Sequence, residues 1–246
     1  MPELSVQLYS VREAMAADRP GTLRALADIG LRQVEAFGVG TDLGDGLAED
    51  LAAAGLRATS AHARLVADPD GVDAALRSAQ ALGVTTLIDP HIPEDRWTER
   101  EAIEASARAL TEIAARAAGE HGLRVGYHNH WWELGLVEGA TALEVLADAL
   151  GDDVVLEVDT YWVQVGGTDP AALLGRLGER VTHLHIKDGD ASRDTLAQLP
   201  AGQGVLDVPG ILAAAPHAVP VLEFDAYAGD MLTGIAASYA YVRELV

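Results

Sequence analysis

Eight times along the chain a short β-branched apolar run gives way to a longer Ala/Leu-rich segment whose apolar residues recur three and four apart, the spacing of one helix face. The strand segments read SVQLYS (5–10), RQVEAFG (32–38), RATSAHA (57–63), TTLIDPH (85–91), RVGYHNH (124–130), VVLEVDT (154–160), VTHLHIK (181–187) and VPVLEFD (219–225). Helical stretches such as DRPGTLRALADIG, DGVDAALRSAQALG, TEREAIEASARALTEIAARAAGEHG, GATALEVLADALG, DPAALLGRLGE and LDVPGILAAA lie between them. The units recur about every 30 residues, close to the size of a βαβ module. Eight of them in 246 residues predict an α/β chain folded as a single (β/α)8 TIM barrel domain over residues 1–246. The alternative, an open doubly wound sheet, should carry a glycine-rich phosphate loop after its first strand. The residues after Tyr9 are SVREAMAADRPG, which contain no such loop.

Several helix ends are also legible. Thr98 with Glu101 three residues later has the capping-box pattern, and Asp169 followed by Pro170 reads as an N-cap and first helical residue. Gly30, Gly55, Gly83 and Gly122 stand where a left-handed residue ends a helix.

With 49% hydrophobic residues the chain can bury a large core despite a formal charge of −21 from 17 cations and 38 anions. That acid excess argues against nucleic acid, whose phosphates need a basic face, and against an anionic membrane surface. Cysteine is absent, which excludes disulfides, thiolate zinc sites and thiol nucleophiles. The N-terminal MPELSVQLYS has neither a basic region nor a long apolar stretch, and no later run approaches the roughly 20 apolar residues of a membrane span. A soluble, cytoplasmic protein is expected.

Active sites of (β/α)8 barrels lie where strands end and βα loops begin. Of the eight histidines, His62, His91, His128, His130, His183 and His185 fall at or near strand C-termini, leaving only His121 and His217 elsewhere. Asp159, Glu223 and Glu133 repeat the pattern. Alternation along a strand places His183 with His185, His128 with His130, Glu157 with Asp159, and Glu223 with Asp225 on shared faces. Glu157 and Asp225 are read as facing solvent as readily as the axis. Imidazoles and carboxylates from several strand ends, without sulfur, suit one divalent cation such as Mn²⁺, Mg²⁺ or Co²⁺ with positions open to substrate oxygens. Trp131, Trp132 and Trp162 directly follow candidate ligand positions and read either as lids over a core or as stacking surfaces for a sugar ring. Lys187 is the single lysine among 17 cations and shares a face with His185. A rotatable ammonium there can bind a substrate hydroxyl or polarise a carbonyl.

QLYSVR (7–12), YHNHWWE (127–133), LEVDTYWV (156–163), HLHIKDGD (183–190), the GQG and LDVPGIL stretch (202–212) and LEFD (222–225) resemble the sugar phosphate isomerase/epimerase group of the xylose isomerase-like TIM barrels. The resemblance runs nearly end to end. It implies one metal ion held by a strand-five Glu, a strand-six Asp, a strand-seven His and a strand-eight Glu, the last three matching Asp159, His185 and Glu223. The strand-five Glu, expected three residues before Asn129, is replaced by Gly126. Glu133 is then the expected fourth ligand. In the 3-epimerases of the group the missing Glu is also one of two catalytic bases, so a two-Glu epimerisation is not implied.

The chemistry implied is proton abstraction next to a carbonyl through an enediolate, on a keto-sugar or related polyol. His128 or His130 would act as base or acid, Glu223 would serve in catalysis as well as in metal binding, and Lys187 would bind or protonate a substrate oxygen. His62, His91 and Trp162 would line the substrate pocket. Isomerase or epimerase chemistry is the expected outcome. Alternatives are a dehydratase or 3-keto-glycoside lyase of the same group, and a sugar-binding barrel without catalysis. Relatives of this kind are often dimers or tetramers, which leaves a homo-oligomer open.

Overall fold

In the computed structural model, which describes residues 3–246, the eight strand segments form one parallel sheet: β1 (Ser5–Val6), β2 (Gln33–Ala36), β3 (Arg57–His62), β4 (Thr86–Asp89), β5 (Arg124–His128), β6 (Val154–Asp159), β7 (Val181–Ile186) and β8 (Val219–Leu222). Sequential strands are neighbours from β2 to β8, and β1 returns to pair with β8, Ser5 opposite Val221 and Val6 opposite Leu222. The remaining seam, between β1 and β2, is closed by a single parallel bridge between Gln7 and Glu35. The first strand is shorter than its apolar run because the chain turns at Leu8–Val11 into one turn of 3-10 helix, with Gln7 accepting the Tyr9 amide.

The outer layer comprises α1 (Arg12–Ile29), α2 (Leu47–Ala54), α3 (Val72–Leu82), α4 (Arg100–Arg116), α5 (Ala142–Ala149), α6 (Thr160–Val165), α7 (Pro170–Leu177), α8 (Val208–Ala214) and α9 (Met231–Val242). Their buried leucines, valines and isoleucines pack on the outward side chains of the strands in a continuous core. The capping box expected at Thr98 does not form, since α4 starts at Arg100 with no side-chain cap. One does form at Thr141, whose hydroxyl accepts the Glu144 amide at 3.2 Å while the Glu144 carboxylate accepts the Thr141 amide at 3.1 Å. Asp169 caps α7 through the Ala172 amide at 2.8 Å, with Pro170 next, as the sequence predicts. Within α1, Asp18 leaves helical geometry and caps the following segment through Gly21, so the helix read from Asp18 onward is the second limb of a kinked one.

Among the described residues no helix is long and apolar enough to cross a membrane. Two short antiparallel ribbons, 136–137 with 140–141 and 188–189 with 198–199, decorate the C-terminal mouth of the barrel. The segment that follows the second ribbon is clamped by the buried Asp188 carboxylate, which accepts the amides of Gly202, Gly204 and Leu206. A Cβ at Gly204 would lie 2.1 Å from an Asp188 oxygen, which accounts for glycine in the GQG motif.

Candidate active site and metal centre

Barrel interiors are ordinarily filled by branched apolar side chains, but the upper interior here is charged. Alternation along the strands turns Glu35 of β2, His62 of β3, His128 of β5, Glu157 and Asp159 of β6 and His185 of β7 toward the axis, and Lys187 and Glu223 follow β7 and β8. All eight are buried. Charges in this position persist only when paired.

The pairing falls into two layers that share His185. Nearer the mouth, Asp159, His185 and Glu223 each offer a ligand atom within 4.8 Å of the others. His185 Nδ1 lies 2.6 Å from Glu223 Oε2. The Lys187 ammonium is 2.8 Å from Asp159 Oδ2 and 2.7 Å from both Glu223 Oε2 and Asp225 Oδ2. Asp225 is held by Gln198, which donates from Nε2 at 2.7 Å and accepts the Asp225 amide at 2.8 Å. One layer deeper, His62, His128, Glu157 and His185 form a second group within the same 4.8 Å limit. There Glu157 Oε2 is 2.7 Å from His62 Nε2, 3.0 Å from His128 Nδ1 and 3.1 Å from His185 Nε2.

Protonation is set by this packing. For His62, burial would push the imidazole down, but Glu35 and Glu157 outweigh it and raise the pKa to about 10. His185 is likewise raised, burial being overcome by Glu157 and Glu223. His128 goes the other way: burial and the neighbouring charge of His185 lower it to about 3 despite the bond to Glu157, so its ring is neutral. Burial opposes the charged form of Lys187, yet Asp159, Asp225 and Glu223 hold it well above its ordinary value. Asp159 itself is raised, because burial together with repulsion from Asp225 and Glu223 exceeds the attraction of Lys187 and His185.

The mouth-side group suits a divalent cation. Its donors are two carboxylates and an imidazole, Asp159 Oδ2 has no aligned hydrogen-bond donor, and the lysine ammonium already places a positive charge between Asp159 and Glu223. Three protein ligands leave positions for substrate oxygens, the arrangement of catalytic rather than structural sites.

The other expected residues divide. His91 and His130 line the same cavity of about 520 Å³ as His62, His128 and Glu223, together with Tyr9 and Phe37. His130 stacks on Trp132 with ring centroids 4.3 Å apart. Trp162 is buried beside Lys187, 5.5 Å from the ammonium to the ring centroid, and does not line that cavity. Trp131 carries the Arg193 guanidinium 3.3 Å above its ring, tying the loop after β5 to the loop after β7. Glu133, expected as the fourth ligand, joins neither group: one carboxylate oxygen accepts from the Tyr127 hydroxyl at 2.6 Å and the other from the His130 amide at 2.9 Å. It braces the β5 loop instead. A Cβ at Gly126, where the strand-five Glu was expected, would stand 3.1 Å from Val155 Cγ2 and 3.3 Å from Ile88 Cγ1, so any side chain there requires these neighbours to shift by a few tenths of an ångström. Glu157, read as able to face solvent, is fully interior, and Glu35 did not figure among the expected residues at all. Its signal is present in RQVEAFG, where a carboxylate alternates with Val34 and Ala36 in a strand buried on both faces.

Residues 22–218 match the family model described as the xylose isomerase-like TIM barrel, and the chain belongs to that family. It is 31% identical over 128 residues to the rhizopine catabolism protein MocC of Rhizobium meliloti, covering 49% of this chain and 37% of that one. It is 30% identical over 143 residues to an inosose dehydratase of Lacticaseibacillus casei, covering 54% and 45%. The matched stretch thus spans less than half the length of either curated relative. In structure it superposes on a sugar phosphate isomerase/epimerase from Parabacteroides distasonis with a TM-score of 0.83 at 23% identity, over 98% of this chain and 93% of the other, a likeness of fold.

Proposed function

We propose that the chain is a metal-dependent isomerase or epimerase of a keto-sugar or related polyol, acting by proton abstraction from the carbon beside the carbonyl. The observation that carries this reading is the three-ligand group Asp159, His185 and Glu223, with the buried Lys187 ammonium against its two carboxylates, reaching a cavity of about 520 Å³ through Glu223 beside the neutral His128 imidazole. A Mn²⁺, Mg²⁺ or Co²⁺ ion held by Asp159, His185 and Glu223 would supply Lewis-acid polarisation of the carbonyl. His128 is the base. Its Nδ1–H donates to Glu157, which fixes the tautomer and leaves the Nε2 lone pair free, 3.8 Å from Asp159 Oδ2. Once Nε2 takes the carbon proton, the Glu157 carboxylate offsets part of the burial and His185 repulsion that disfavour the imidazolium, the role of the acid in a Ser-His-Asp triad. Lys187, anchored by Asp225, donates a hydrogen bond to the oxygen that gains negative charge. His62 and His91 contact the substrate from the pocket wall, and His130 returns a proton from the rim.

A second reading, elimination of a β-substituent, is favoured by the 30% identity to an inosose dehydratase and by the absence of the strand-five carboxylate that would serve as a second base. Both readings share the first proton transfer and diverge at the second step. Incubating the metal-analysed protein in D₂O with a panel of ketoses, inososes and 3-keto sugars separates them by NMR: deuterium in an epimer or aldose–ketose isomer supports the first, and an unsaturated product supports the second. Deuterium uptake lost in Asp159→Asn and Glu223→Gln along with the metal is the expected result. No uptake with any substrate, with metal content unchanged in both variants, would overturn the enzyme reading.

A further inference from the structure

We propose that Glu35 is a positioning residue for the metal centre: its buried carboxylate holds the ring proton of His185 on Nε2 and so presents Nδ1 to the ion. This rests on the reading that Asp159, His185 and Glu223 are the metal ligands. The two nitrogens of His185 face opposite partners, Nδ1 toward Glu223 Oε2 at 2.6 Å and Nε2 toward Glu35 Oε1 at 2.8 Å. In a neutral imidazole one nitrogen donates and the other accepts. An ionised carboxylate can only accept, and both nitrogens face one, so without an ion both carry protons; an ion among Asp159, His185 and Glu223 would take the place of the Nδ1 proton, leaving the Nε2 proton held by Glu35.

Glu35 is built to stay in place. Oε1 also accepts from Gln7 Nε2 at 2.8 Å and lies 3.1 Å from His62 Nε2, while Oε2 accepts from the Ser60 hydroxyl at 2.5 Å. These partners come from the residue after β1 and from β3, on either side of β2, so the carboxylate is fixed from both flanks. Gln7 and Glu35 also form the one backbone bridge that closes the barrel seam, which couples closure of the fold to the orientation of His185 across the axis. Glu157 Oε2 is the other acceptor within reach of His185 Nε2, at 3.1 Å, but it already receives His62 and His128. Carboxylates that accept the free N–H of a ligating histidine typically change metal affinity by about 10–100-fold when removed.

The test compares Zn²⁺ and Co²⁺ affinity by chelator competition in the wild-type chain and in Glu35→Ala, Glu35→Gln and Ser60→Ala. Long-range proton–nitrogen NMR on the zinc-loaded, histidine-labelled protein reads which nitrogen of His185 keeps its proton. Expected are one ion per chain, a protonated Nε2, an affinity about 10–100-fold weaker in Glu35→Ala, and partial rescue in Glu35→Gln, whose amide oxygen can still accept. Ser60→Ala should lower thermal stability while leaving affinity within about threefold, because the Nε2 contact survives. Glu35→Ala with unchanged affinity, His185 ligating through Nε2, or equal affinity losses in Glu35→Ala and Ser60→Ala would each overturn the proposal. Two ions per chain would overturn it as well, since the imidazoles of the deeper layer would then be ligands. Absence of metal binding by the wild-type chain would overturn the ligand reading itself, and is recognised before any variant is compared.

Discussion

The two halves of the barrel bring different chemistry to one buried interior. Strands β5 to β8 provide the side chains proposed to meet metal and substrate: His128, Asp159, His185, Lys187 and Glu223. Strands β1 to β4 and their ends provide Gln7, Glu35, Ser60 and His62; Glu35 joins Gln7 and Ser60 to His185 by hydrogen bonds, and His62 lines the cavity as His128 and Glu223 do. The difference teaches that a polar residue inside a barrel has two uses. At a strand's last turn it can reach the substrate, whereas one layer down it can only reach its neighbours and set their protonation and direction.

The division can be broken from either side. The largest effect is expected at the base: His128→Asn should lower solvent-deuterium exchange by about 10²–10⁴-fold, the usual contribution of a general base, with metal content unchanged by elemental analysis. Full exchange activity would remove β5 from the reacting half. Lys187→Met leaves the carboxylates of Asp159, Glu223 and Asp225 facing one another. Loss of one member of a buried ion pair costs about 3–5 kcal/mol, to be read by denaturant unfolding of the metal-free protein. Added metal should recover part of that loss.

On the supporting side, His62 links stability to pH. Its pKa rises from 6.5 to about 10 on folding, so its contribution is complete below 6.5 and disappears as pH climbs through 10. Stability of the metal-free protein should therefore fall over that range by about 5 kcal/mol, and His62→Gln should flatten the slope. A slope of the same size in His62→Gln would assign it to other groups. The smallest effect is expected at Glu133→Gln, where a weakened bond to the buried Tyr127 hydroxyl costs about 1–3 kcal/mol and metal affinity stays as it was. A hundredfold loss of affinity would return Glu133 to the ligand set.

How much of the site was legible depended on which half a residue came from. Asp159, His185, Lys187 and Glu223 sit at strand ends in motifs with little else to explain them, and alternation placed Asp159 with Glu157, His185 with Lys187, and Glu223 with Asp225 on shared faces. Glu133 shares the same strand-end pattern but is hydrogen-bonded away from both candidate metal groups. Its carboxylate is turned away by two donors, Tyr127 and the His130 amide, that no spacing rule marks as partners. Glu35 went unread for the converse reason. One carboxylate in a four-residue strand resembles an exposed edge position until the strand is known to be buried on both faces.

The sequence by itself determined the eightfold alternation, the strand segments, the cysteine-free donor chemistry and the face on which each strand-end residue lies, because these depend on local periodicity and composition. Only the tertiary structure decided which faces meet. Glu35 and His185 are 150 residues apart and come within 2.8 Å across the barrel axis. Contacts of that kind depend on closure of the sheet, which sets distances between residues that no local rule relates.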